Sequence, residues 1–260
     1  MVGAGVIGSG VAQLFAQTGH DVVLVDVRDE PLESARRAIA KNLKMAALLR
    51  QEHLDPAAVL ARLQTARDIT ALAGTDFVIE NVTEDWELKR HVHGEIHAVV
   101  SPDAPIAANT SAIPITRIAS AGSAAHRVVG MHFMNPPPLM PMVEIIRGVH
   151  TSDDTVAAAQ ALAAQAGRQS IVVNDSPGFV TNRVMMLMVN EAMFLVHEGV
   201  IGVVCARLRT AERPRLERPR DVAASAAPER GVHGCPATAY GRARTCATLG
   251  RTSHAGGRNR

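Results

Sequence analysis

Cysteine, lysine and aromatic side chains are all scarce in this chain, and each scarcity is uneven. The three cysteines, Cys205, Cys235 and Cys246, fall in the last sixty residues, so the rest of the chain has no disulfide framework. That distribution fits a reducing, cytoplasmic setting. Neither these cysteines nor His233 has metal-site spacing. Aromatic residues make up 3% of the 260 residues, and Tyr240 is the only one beyond Val200. The arginine-rich stretch around it has no periodic basic face either, so specific nucleic-acid recognition is not expected. No apolar run reaches the ~18 residues of a membrane span, and the start lacks the basic residues of a signal peptide.

Charge is also divided unevenly. Up to Val200 there are 15 Lys+Arg against 21 Asp+Glu, and beyond it 12 against 4, so the overall formal charge of +2 is a cancellation. All three lysines, all ten methionines and all five phenylalanines precede residue 201. Residues 201–260 contain only 8 from Leu, Ile, Val and Phe, too few apolar faces to offset the entropy of ordering them. The segment 200–260 therefore reads as an aberrant tail, expected to be disordered. A frameshift near Val200 is the reading that accounts for the abrupt change in composition.

The clearest positive signal is at the other end. In MVGAGVIGSGV, Gly3, Gly5 and Gly8 stand in G-x-G-x-x-G spacing, followed by the helical pattern VAQLFAQTGH and the apolar run DVVLVD. The first glycine allows a tight turn, the second lets backbone approach a pyrophosphate, and the third lets helix and strand pack closely. Asp26 ends the second apolar run 18 residues beyond Gly8, where a carboxylate accepts the hydrogen bonds of an adenosine ribose. It would repel a 2′-phosphate and so favours NAD over NADP, although Arg28 lies two residues on. Only Met1 and Val2 precede Gly3, whereas a strand usually needs about five residues, so the first strand looks clipped.

A second signal lies in MHFMNPPPLMPMVEIIR, residues 131–147, where His132 is followed twelve residues later by Glu144 across a proline-stiffened turn. A histidine at a cleft with a carboxylate from a neighbouring strand is how a general base is held in one tautomer. The same pair, taken alone, equally suits a satisfied structural histidine beside an edge-strand acid. His93 and His97 stand four apart on a helical stretch that also carries His91. With no third ligand nearby, these three read as solvated rather than metal-binding.

Periodicity places these motifs on an alternating α/β pattern. Residues 30–63 read as two helices broken at Asp55-Pro56, a helical hairpin inserted after the second strand. Lys41, Lys44 and Arg50 fall along it as cations that could meet phosphates or simply face solvent. Strands are expected at FVIEN, PIAANT, RVVGMHF, MVEIIR and SIVVND, and a helix closed by Gly167 lies between the last two. The fold class is a doubly wound Rossmann-type α/β domain.

Five stretches, GAGVIGSGVAQLFAQTGHDVVLVD, DFVIENVTEDWELKR, ANTSAIPIT, HFMNPPPLMPMVEII and NDSPGFVTNRVMMLMVNEAMFLVHEG, resemble in order and spacing the L-3-hydroxyacyl-CoA dehydrogenase family. The likeness is to its bacterial 3-hydroxybutyryl-CoA type and covers residues 1–199. The resemblance implies a 1–178 NAD-binding domain and, at 179–199, the first helix of an all-helical domain that is otherwise missing. With that domain the family's homodimer would be lost. It implies NAD as cofactor and an acyl-CoA substrate oxidised at its hydroxyl. His132 would be the base and Glu144 its partner. Ser111 and Asn182 would hold the substrate oxygen, and Asn135 would stand beside the pair. Asp26, Glu80 and Lys89 would line or border the cofactor. Read from the residues alone, Ser111 suits a turn cap and Asn182 a helix N-cap equally well.

Two alternatives stand beside this one. A lysine-based hydroxyacid dehydrogenase on the same cofactor fold is nearly excluded, because no lysine follows Lys89. A truncated or frameshifted, catalytically impaired NAD-binding remnant would keep the cofactor domain and the His132/Glu144 pair without the covering domain.

Overall fold

A computed structural model describes residues 1–50 and 55–200. The tail from residue 201, with its expected disorder, lies outside the described residues, as does the Arg50 side chain. Strands β1 (Val22–Val25), β2 (Leu63–Ala66), β3 (Val78–Glu80), β4 (Ile106–Ala108), β5 (Val128–Phe133), β6 (Met142–Arg147) and β7 (Gln169–Asn174) alternate with seven α-helices. The helices are α1 (Val6–Gln17), α2 (Asp29–Arg50), α3 (Pro56–Ala61), α4 (Trp86–Val99), α5 (Ile115–Ala119), α6 (Asp153–Gln165) and α7 (Thr181–His197).

The strands pair as β1-β2 and as β3-β4-β5-β6-β7, all neighbours parallel except β5 and β6. Val2 joins the two groups, bridging in parallel to Val25 on one side and Glu80 on the other. Residues 1–3 thus lie in the central position of the sheet, hydrogen-bonded on both edges. Val2 N–H donates to Ile79 O at 3.0 Å, Gly3 N–H to Val25 O at 2.8 Å, and Asn81 N–H to Val2 O at 2.7 Å.

Alternation along the strands divides the core in two. Ile79, Val129, Met131 and Phe133 face α1, α2 and α6, with Leu14, Phe15, Ile39 and Ala159 packed against them. Val78 and Ile106 face α4, with Val92 and Ile96, and Ile115, Ile118 and Phe179 close the end of that second layer. This is the period-two pattern of a sheet covered on both faces.

The predicted break at Asp55-Pro56 is real: the Asp55 carboxylate caps α3 by accepting the Ala57 N–H at 2.9 Å, and Pro56 takes the first helical position. Strand β2 was not foreseen. Its LQTA carries too little apolar pattern, and its pairing with β1 supplies what the sequence does not show. Gly167 adopts φ +65° just past α6, the left-handed stop that glycine permits. Helix α7 has none of its residues buried.

Candidate active site

The glycine loop has the shape that phosphates need. A Cβ on Gly3, which sits at φ +91°, would lie 2.9 Å from the Asn81 backbone, and one on Gly8 would lie 1.9 Å from Gly3 O. Both positions are closed to any larger residue. A Cβ on Gly5 would meet nothing within 4 Å, so the loop opens outward there. Gly5 also precedes α1 without any side-chain cap and with no acid in the first turn, which leaves that helix's N–H groups free for an anion. Asp26, at the end of β1, turns back onto this loop: Oδ2 accepts the Ala4 N–H at 3.0 Å and Oδ1 the Arg28 N–H at 3.2 Å. The residues present therefore fit a dinucleotide.

His132 and Glu144 are direct partners across the antiparallel β5-β6 pair, in register opposite one another. Nδ1 of His132 lies 2.8 Å from Glu144 Oε2, and both side chains are nearly withdrawn from solvent, at 7% and 1% exposure. The other oxygen, Oε1, accepts the N–H groups of Val180 at 3.2 Å and Thr181 at 2.9 Å, so one carboxylate ties the imidazole to the start of α7. Burial raises the Glu144 pKa, but the hydrogen bonds from His132 and Thr181 outweigh it and hold the group below its ordinary value. The acid is thus ionised. It accepts the proton on Nδ1 and leaves Nε2 as the basic nitrogen.

Nε2 points to Ser111 Oγ at 3.1 Å, and Asn182 Nδ2 donates to Ser111 O at 3.2 Å. His132, Glu144, Ser111 and Asn182 therefore form one connected set. Asn182 is the second residue of α7 and not its cap, which is Val180. Asn135 does not join the set: it is exposed in the turn between β5 and β6, before the cis Asn135-Pro136 bond. Phe179, not anticipated from sequence, packs edge-on against the His132 ring at 5.7 Å between centroids, from a left-handed backbone at φ 50°.

The structure places Glu80 and Lys89 together. Neither has any exposed surface, so they border the cleft from behind its wall. Lys89 Nζ donates to Glu80 Oε1 at 2.8 Å, to Val82 O at 3.2 Å and to Asn109 O at 3.2 Å, while the Val82 N–H donates to Glu80 Oε1 at 2.6 Å. The pair thereby pins the ends of two loops that flank the glycine turn.

The reading of three solvated histidines holds only for His91. His93 is fully buried with Nε2 at 3.1 Å from Glu80 Oε2, and His97 Nδ1 lies 3.0 Å from an Arg127 guanidinium nitrogen. The reason is the packing of α4. Its inward stripe, Lys89, Val92, His93 and Ile96, carries polar residues where only apolar ones were looked for. No cluster suited to a metal ion occurs among the described residues, and no described helix is long and apolar enough to cross a membrane.

Two further residues escaped sequence reasoning. Asn109 receives the Phe133 N–H on Oδ1 at 3.2 Å and gives an N–H to Asn81 Oδ1 at 2.9 Å, which ties β5 to the glycine loop. Glu84 collects donors from residues 110–113 on one carboxylate oxygen. The only signal for either was its place after a strand end, one residue past β4 for Asn109 and four past β3 for Glu84, where α/β folds put their sites.

Comparison with known proteins agrees with this geometry. Residues 1–176 match the family described as 3-hydroxyacyl-CoA dehydrogenase, NAD binding domain. A probable 3-hydroxybutyryl-CoA dehydrogenase of Deinococcus radiodurans is 40% identical over 200 residues, covering 77% of this chain and 72% of that one. A 3-hydroxybutyryl-CoA dehydrogenase of Bradyrhizobium diazoefficiens is 41% identical over 205 residues, covering 78% and 70%. Among solved structures, (S)-3-hydroxybutyryl-CoA dehydrogenase of Ralstonia eutropha superposes with a TM-score of 0.75 at 42% identity, over 77% of this chain and 71% of that one. A nucleotide cradle at Gly3, Gly5, Gly8 and Asp26, a buried His–Glu pair facing a serine, and these matches over the same residues lead to one conclusion: this chain belongs to the 3-hydroxyacyl-CoA dehydrogenase family and carries its NAD-binding domain.

Proposed function

We propose that the chain oxidises the C3 hydroxyl of a short 3-hydroxyacyl-CoA, of the 3-hydroxybutyryl type named in its relatives, to the 3-oxo thioester. The observation that carries this is the orientation of His132: Nδ1 is held by Glu144 at 2.8 Å and Nε2 is turned to Ser111 Oγ at 3.1 Å. Oxidation of a secondary alcohol removes a proton and a hydride. Bound NAD supplies the hydride acceptor. Nε2 of His132 takes the hydroxyl proton, and the Glu144 carboxylate stabilises the imidazolium so formed; a hydrogen bond to a charged group contributes about 1.5–3 kcal/mol. Ser111 Oγ and Asn182 are neutral donors at the same spot, suited to holding the substrate oxygen without adding a competing charge. Lys41 and Lys44 are exposed along α2 and suited to coenzyme A phosphates as point charges.

On this reading residues 1–178 bind the cofactor and 179–199 begin the part that closes over the acyl chain. The full chain, assayed by NADH fluorescence with 3-hydroxybutyryl-CoA, should lose roughly 10²-fold or more in kcat on His132→Gln while keeping its NAD affinity. Undiminished turnover would remove His132 from the base role.

One observation favours a second reading, a chain that binds NAD but turns over poorly. Helix α7 buries none of its residues and leaves Met186, Leu187 and Met188 open. NAD binding without turnover in the wild-type chain would establish that alternative, with the family's paired state lost as well.

A further inference from the structure

We propose that Asp175 is a positioning residue, anchoring the turn that aims Phe179 and Asn182 at His132 and Ser111; the proposal rests on the reading of the last two given above. Asp175 directly follows β7, and its Oδ2 reaches across to α5, where it accepts the Thr116 N–H at 2.8 Å and the Thr116 hydroxyl at 2.7 Å. Helix α5 has no cap of its own. Pro114 stands at the cap position without a side-chain hydrogen bond, and no acid lies in the first turn. The oxygen that a neighbouring residue usually supplies comes instead from fifty-nine residues further along the chain. Backbone is tied at the same point, since the Asp175 N–H donates to Arg147 O at 2.9 Å and Thr116 Oγ1 accepts the Val149 N–H at 3.1 Å.

The segment that follows Asp175 needs a fixed origin. Gly178 and Phe179 are both left-handed, at φ +73° and 50°, and for phenylalanine that backbone is strained. Such a turn persists only where the structure around it holds it. Its far end is held by the N–H groups of Val180 and Thr181 on Glu144 and by Asn182 Nδ2 on Ser111 O. Asp175 holds the near end. Between the two, Phe179 is buried with Ile115 and Ile118, on the same helix that Asp175 caps, and meets the His132 ring edge-on. Helix α5 begins four residues after Ser111, so one carboxylate aligns the serine loop and the start of α7 on a common support. Thr116 requires a single acceptor oxygen. The second, Oδ1, is buried with no hydrogen-bond partner among the described residues, so an amide nitrogen in its place displaces no bond. Asparagine can therefore do the work of Asp175, and alanine cannot.

The test uses the full chain with Asp175→Ala and Asp175→Asn. Amide exchange, read by NMR, should speed up on the order of ten-fold at Thr116 and at residues 179–182 in Asp175→Ala and within about three-fold in Asp175→Asn, with the β5 amides unchanged. In turnover, Asp175→Ala should lower kcat by roughly ten-fold with NAD affinity unchanged, and Asp175→Asn should restore most of it. In an Asn182→Ala background Asp175→Ala should cost less than about three-fold further. Faster exchange confined to Thr116 would make Asp175 a cap of α5 alone and overturn the proposal. So would a full ten-fold further loss in the Asn182→Ala background, or an Asp175→Asn variant as impaired as Asp175→Ala. If the wild-type chain shows no turnover, the proposed reaction fails while exchange at residues 179–182 still decides the role of Asp175.

Discussion

At the scale of single residues, Glu144 does two things with two oxygens: Oε2 serves His132, and Oε1 serves the amides of Val180 and Thr181. Glutamine has one acceptor oxygen and a donor NH2 group. With the oxygen kept on the amides of α7, the NH2 faces Nδ1, and the neutral imidazole meets it by moving its proton to Nε2, the nitrogen needed as the base. Glu144→Gln should therefore keep its unfolding midpoint and lose roughly 100-fold or more in kcat, whereas Glu144→Ala, which leaves the amides and the imidazole without that partner, should also lose about 1–3 kcal/mol of stability. Urea unfolding beside steady-state kinetics checks this, and full stability in Glu144→Ala would mean that Oε1 does not hold α7. The division of labour was half legible. The spacing of His132 and Glu144 suggested the pair, and the β5-β6 register explains it, since residues opposite each other across an antiparallel ladder share a face. The bonds to residues 180 and 181 were not legible, because backbone donors thirty-six residues away leave no trace in side-chain identity.

At the scale of elements, α4 shows both how sequence reading succeeds and where it stops. Its helical character follows from local pattern, but its buried stripe holds a lysine and a histidine. Apolar periodicity cannot find a polar group that is buried because it is paired. Strand β2 was missed for the complementary reason: too short and too polar to signal itself, it exists through its neighbour β1. The far end of α4 carries a pH dependence. Burial, then the nearby Arg127 and then His93 push the His97 pKa down from 6.5 to about 4. The unfolded chain binds that proton near 6.5 and the folded one only near 4, so across this interval the unfolded state holds more protons. This contribution to stability is complete above 6.5 and is lost progressively as the pH falls toward 4. His97→Gln keeps an acceptor for Arg127 and removes the titration, so urea midpoints measured from pH 4 to 7 should fall less steeply than in the wild type. Parallel slopes would place the acid sensitivity elsewhere.

At the scale of the whole molecule, the described residues combine a well-packed α/β body with a helix that is tied to it at its first turn and exposed beyond. The body was predictable because glycine turns, caps and apolar alternation all point the same way. What lies against α7 was not predictable, since an apolar helix announces that it should be covered and not by what. Leu187 and Met188 are 68% and 67% exposed. An apolar stripe of that kind promotes self-association. Leu187→Glu with Met188→Glu should make light scattering less dependent on concentration while leaving NAD affinity and the unfolding midpoint nearly unchanged, because exposed positions change stability by about 0.5 kcal/mol or less. Unaltered scattering would put the adhesive surface somewhere else. The place of Val2 between the two strand groups has a consequence of another kind, for the order of assembly. One of its neighbours, β3, is made only after α1, β1, α2, α3 and β2. Closing so long a loop costs entropy before any contact returns it. The two strand groups can therefore gather locally, each around its own helices, and the middle of the sheet, which holds the glycine turn, is sealed only when they meet. A nascent chain of this protein acquires its nucleotide cradle late, by joining two finished pieces, and not at the moment its signature motif is synthesised.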